Sequence, residues 1–83
     1  MPLVTPVMAS AHIPTVTAVW DADARVFYSQ STIPGLVIEA ETLDGFRELV
    51  RELSPEVMRE NGVRASKAVF LDVVGAEREL LKL

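Results

Sequence analysis

Cysteine is absent from this 83-residue chain, and histidine occurs once, at position 12. Without thiols there can be no disulfide, no thiolate zinc site and no sulfur nucleophile, a composition that suits a reducing cytoplasm. His12, next to Ile13-Pro14, has neither a partner acid nor a second ligand nearby in sequence, and a solvated imidazole is expected. Glycine is also sparse. Its four positions, 35, 45, 62 and 75, are scattered, which excludes a Gly-rich phosphate loop. No apolar run approaches the roughly 18 residues needed to cross a membrane as a helix. Basic charge is the last shortage: eight Lys and Arg face twelve Asp and Glu, for a net charge of -4. That balance opposes the phosphate neutralisation on which nucleic-acid binding depends, and it favours a basic protein as partner.

The remaining polar residues assemble no chemistry on their own. Asp21 and Asp23 could offer oxygen ligands to a hard cation, but the further ligands of a calcium loop are missing, and Asp is a common turn residue. Ser10, Ser29, Ser31, Ser54 and Ser66 have no partner base. No catalytic residue, metal or cofactor is expected. The segment Met1 to His12 reads as a flexible arm: Ala9-Ser10-Ala11 mimics a signal-peptide cleavage site, yet no positive charge precedes it, and Pro2 and Pro6 interrupt the apolar stretch. Residues 13–83 make a single domain. A domain of this size buries only about 60% of its unfolded surface, so oligomerisation is the aid still open to it.

The patterned sequence has a clear order. Thr15 to Trp20 is rich in β-branched and aromatic residues, and the cluster Asp21-Ala22-Asp23-Ala24 turns the chain into a second strand, Arg25 to Gln30. Ile33-Pro34-Gly35-Leu36 places Pro and Gly as a type II turn requires and leads to a short third strand, Leu36 to Glu39. Thr42 is a helix N-cap, with Asp44 favourable to the positive end of the helix dipole. Leu43, Phe46, Leu49, Val50, Leu53, Val57 and Met58 then recur at helical spacing, and Asp44, Arg47, Glu48, Arg51 and Glu52 form the opposite face. Pro55 predicts a kink; Ser54-Pro55-Glu56 also reads as the start of a second short helix, but the apolar phase running on to Val57 and Met58 favours a kinked continuation. Asn61-Gly62 is the stop. Ser66 to Val74 is a strand apolar on both faces, which predicts a central position or cover by another subunit. The fold class is α+β: an antiparallel three-stranded meander, one kinked helix packed on it, and a final strand.

Trp20-Asp21, Arg25-Val26-Phe27, Ile33-Pro34-Gly35-Leu36, Glu39-Ala40, Thr42-Leu43 and Pro55-Glu56 to Asn61-Gly62, taken in that order, resemble a bacterial family of small proteins related to the N-terminal domain of HicB antitoxins. The resemblance covers about Val16 to Val74. It implies a β-β-β-α-β fold, a truncated ribonuclease H-like sheet whose last strand is parallel to the first. The first strand offers no metal-binding carboxylate, and Glu48 and Asp72 alone cannot assemble a ribonuclease H site, so nuclease activity is not expected. HicB antitoxins usually carry a C-terminal DNA-binding domain, whereas this sequence ends at Leu83, and operator binding is not expected either. The other antitoxin role is implied: covering a small basic ribonuclease toxin within a toxin–antitoxin system.

The expectation is therefore a non-catalytic protein-binding module, with a self-assembling domain as the alternative. Candidates for partner contact are Asp21, Asp23, Glu39 and Glu41, which would attract a basic protein, and Trp20, Phe27 and Tyr28, which would anchor it. At least a homodimer is expected, with Val69, Phe70, Leu71 and Val74 as candidates for shared burial.

Overall fold

The computed structural model describes residues 13–62 and 66–83; the arm 1–12, with Ala9-Ser10-Ala11 and His12, lies outside the described residues. Strands β1 (Thr15–Asp21), β2 (Val26–Ser31) and β3 (Glu39–Ala40) come first. Helix α1 (Leu43–Glu60), then β4 (Ala68–Val73) and β5 (Glu79–Lys82) follow. They build a five-stranded sheet in the order β3-β2-β1-β4-β5. β1 pairs antiparallel with β2 and parallel with β4, and both outer pairings are antiparallel.

Alternation along β1 decides which way the sheet faces. Val16 and Ala18 are buried, as are Val69 and Leu71 on β4 and Leu81 on β5. Val16 lies opposite Leu71, so these side chains share one face, and α1 covers it with Phe46, Val50 and Met58. Each such side chain contributes about 1.5–3 kcal/mol when removed from water. The 33–38 segment closes one flank of this core with Ile33, Leu36 and Ile38.

The helix begins where the sequence indicates, with Thr42 Oγ1 accepting from the Gly45 N–H at 3.0 Å. It ends at Asn61, whose side chain donates to the Val57 carbonyl. It passes through Pro55 as one element of 18 residues, so no second helix starts there. The carbonyl that Pro55 leaves without an intrahelical donor belongs to Arg51, an exposed residue within reach of water. Ser54 is not a cap. It is fully buried in mid-helix, and its Oγ has no hydrogen-bond partner. A buried hydroxyl without a partner costs about 1–3 kcal/mol. Ser54→Ala is therefore expected to raise stability by about 1 kcal/mol, seen as a higher urea midpoint with unchanged slope.

The structure corrects the expected order of elements at both edges of the sheet. β4 is not the final strand, because residues 79–82 pair with it antiparallel as β5. The third strand, expected over Leu36 to Glu39, is instead the two residues Glu39–Ala40, since Ser29 ends the ladder. Its N–H donates to the Ile38 carbonyl, but its hydroxyl takes the Ile38 N–H at 2.9 Å in place of a backbone acceptor. The Pro34-Gly35 turn before it forms as read: the Leu36 N–H meets the Ile33 carbonyl, and Gly35 has φ of 83°.

Candidate functional site

The helix covers one face of the sheet, and no described helix or strand packs over the other. Register places Thr15, Thr17, Val19 and Asp21 of β1 on this open face, beside Tyr28 and Gln30 of β2 and Phe70 and Asp72 of β4. Leu80 and Lys82 of β5 continue it, because Leu80 lies opposite Phe70. Leu80 is 50% exposed. Arg78 lies over part of this face, its guanidinium carbon 4.8 Å from the Phe70 ring centre. It also grips Asp72 with two bonds of 2.7 and 2.8 Å.

That grip sets the charge of Asp72. The hydrogen bonds from Arg78, aided by its positive charge and partly opposed by desolvation, hold the carboxyl below its ordinary value, and the same bonds push the Arg78 guanidinium upward. A carboxyl whose pKa is lowered by folding stabilises the fold above its unfolded value, about 3.9, and loses that contribution as pH falls through the folded value. Asp72→Asn should thus be less stable than the parent at pH 6, and the gap should close as pH falls from about 4 toward 2. Urea midpoints across that range measure it; the gap should be small, because the pair is partly exposed.

At the β2–β3 corner the open face becomes concave. Asp21, Val26, Tyr28, Ser29, Val37, Ile38 and Glu39 line an open pocket of about 320 Å³. The same Ser29 hydroxyl that ends the ladder shapes it, leaving Val37 outside the core and 78% exposed at the rim. Asp21 sits at the end of the first hairpin, where its Oδ1 accepts from the N–H groups of Asp23 and Ala24 at 3.0 and 3.2 Å. Its turn role and its place at the pocket are compatible, since these bonds fix the side chain. Neither Asp21 nor Glu39 has an ion-pair partner among the described residues. The pocket therefore presents two carboxylates and a phenol between two valines, a lining suited to a cation on an aliphatic stem. A shallower hollow of about 250 Å³, lined by Thr15, Thr17, Gln30, Ser31 and Thr32, carries no charge.

Of the residues expected to meet a partner, the structure brings Asp21, Tyr28 and Glu39 together. Trp20 and Phe27 lie on the other face, the helix side, stacked edge-to-face with centres 4.9 Å apart. Phe27 packs on the core, and Trp20, 49% exposed, caps that end of it. Asp23 is exposed in the hairpin turn and Glu41 in the loop before α1, both away from the pocket lining. The candidates for shared burial separate as well. Val69 and Leu71 are fully buried beneath the helix and are unavailable to another subunit, because strand alternation turns them inward. Phe70 faces outward, and Val74, 84% exposed, has left the strand for the β4–β5 turn. Val26, Val37, Leu80 and Lys82 were not expected in this role. Alternation from Tyr28 would have found Val26, but the last two required knowledge of β5.

No group of three His, Cys, Asp or Glu stands ready to hold a metal among the described residues, and no described helix is long and apolar enough to cross a membrane. No curated protein matches the sequence. Among solved structures, the hypothetical protein TTHA1013 from the extremely thermophilic bacterium Thermus thermophilus is similar, at 38% identity and a TM-score of 0.56 over 84% of this chain and 99% of that one. Residues 14–83 match the family described as Domain of unknown function (DUF1902), which spans all six described elements, and the chain belongs to that family.

Proposed function

We propose that the protein is a non-catalytic protein-binding module that docks a partner on the open face of its sheet and takes a basic side chain into the Asp21–Tyr28–Glu39 pocket. The observation that carries this reading is the pocket itself. Its carboxylates lie beside uncovered apolar side chains, so charge and desolvation can act on the same ligand group. Opposite charge would speed encounter, and the aromatic and valine walls would hold what arrives. The resemblance to the first domain of HicB antitoxins supplies a finer form of the proposal: an antitoxin-like protein acting in the cytoplasm that covers a small basic ribonuclease.

The test is capture from native extract at low salt with two baits, the parent and Glu39→Lys, both shown to be folded. A basic protein retained by the parent and lost by the variant is the expected result, with an association rate that falls as salt rises. Retention indifferent to both Glu39 and salt would remove the proposal. Self-assembly is a second reading, favoured by one observation: the open face also carries basic groups, at the edge opposite the pocket.

A further inference from the structure

Apart from the Asp72–Arg78 pair, which neutralises itself, the charges on the open face are segregated. Asp21 and Glu39 stand at the β2–β3 corner, whereas Lys82 stands on β5, at the far edge of the sheet and toward the opposite end of the strands. Lys82, like Asp21 and Glu39, has no ion-pair partner among the described residues. A uniformly basic partner would suit the acidic corner and be repelled at the other. A partner surface that carries both an acidic and a basic corner suits each of them, and this chain has such a surface.

Resting on the docking reading above, we propose that the open face receives a second copy of this chain, with Lys82 of each copy entering the Asp21–Tyr28–Glu39 pocket of the other. The register permits this in one arrangement. Glu39 is level with Val19 through Tyr28, and Lys82, opposite Ala68, is level with residue 13. Six residues along the strands and four strand spacings across them are nearly equal offsets, about 20 and about 19 Å. A two-fold axis lying in the interface at about 45° to β1 therefore exchanges the two corners, and the sheets of the two copies cross near 90°, one of the two usual ways in which sheets pack. The same rotation lays Leu80 over Val19 and Tyr28 of the other copy, and Phe70 over Thr17 and Gln30. Half-exposed Leu80 and partly exposed Phe70 both gain cover, and the interface is isologous, with both pockets filled at once.

The experiment uses the purified full chain alone. Light scattering or sedimentation should give a dimer. Lys82→Glu and Glu39→Lys should each weaken it about tenfold or more, as expected for a close interfacial charge pair. The double variant, which reverses both charges in every copy, should restore the dimer to near the parent's affinity; a general loss of fold would not produce this rescue. A parent that stays monomeric at high micromolar concentration overturns the proposal, as does a dimer indifferent to both single variants or not rescued by the double. A monomer that loses stability when residues 1–12 are deleted also overturns it, assigning the face to the chain's own N-terminal segment. None of these failures touches the two-bait capture, which can succeed with a monomer. The docking reading thus stands or falls separately.

Discussion

Val69→Asp is expected to yield a chain that does not fold, while Phe70→Asp, one residue on, yields one that does. Val69 is fully buried under Phe46 and its neighbours on the helix side of the sheet. A carboxylate there would be unpaired in an apolar site, at an effective cost of several kcal/mol even after relaxation. A domain of this length has roughly 4–12 kcal/mol of total stability, so that single cost consumes most or all of it. Phe70 points to the open face, next to Arg78, where a carboxylate remains hydrated and gains a nearby guanidinium. Circular dichroism should show native secondary structure for Phe70→Asp and its loss for Val69→Asp. On the self-association proposal, the folded Phe70 variant should also be monomeric. Two unfolded variants would place both residues in the core and contradict the register described above.

The second large effect is expected at Gly35. Its φ of 83° lies in the left-handed region, and a Cβ built there would come within 3.0 Å of Asn61 Nδ2. Asn61 is not free to withdraw, because that same amide nitrogen caps the last turn of α1 through the Val57 carbonyl. Gly35→Ala should therefore combine backbone strain with a weakened helix end and lower stability by about 1–3 kcal/mol. Gly62, also at positive φ, has no described residue within 4 Å of the site of a Cβ, and Gly62→Ala isolates the backbone contribution. If Gly35→Ala proves no more harmful than Gly62→Ala by urea denaturation, the contact with Asn61 carries nothing.

Much of this architecture was legible in the sequence, for definite physical reasons. The first two strands, the Asp21 turn, the Pro34-Gly35 turn, the Thr42 cap and the Asn61-Gly62 stop all rest on local chemistry, and local chemistry is visible in a linear string. The misjudged elements depend on partners distant in sequence. Glu79-Leu80-Leu81-Lys82 has the composition of a helix and becomes a strand only because β4 offers its edge, an override that propensity cannot reveal. The shortness of β3 depends on one serine hydroxyl displacing a backbone acceptor. Pro55, by contrast, was legible as lying within one helix, because the apolar face continues through Val57 and Met58, and burial of Met58 keeps the element whole. For the candidate site, three of the seven partner residues converge on the pocket, because Asp21, Tyr28 and Glu39 are in phase on neighbouring strands. Trp20 and Phe27 are one residue out of that phase, and in a sheet one residue is the whole difference between faces.

The centre of the sheet also bears on how the chain can be made. β1 is synthesised first, yet one of its two neighbours is β4, whose Phe70 N–H bonds to the Pro14 carbonyl at 2.8 Å. Until the ribosome has released residues 68–82, Val16 and Ala18 lack Leu71 and Val73 beside them, and β1 presents an unsatisfied edge. The nascent meander is then an aggregation-prone species, and completion of the fold waits on a contact between distant parts of the chain. Any truncation before β4 should therefore be cleared by cellular proteases rather than accumulate as a smaller stable domain.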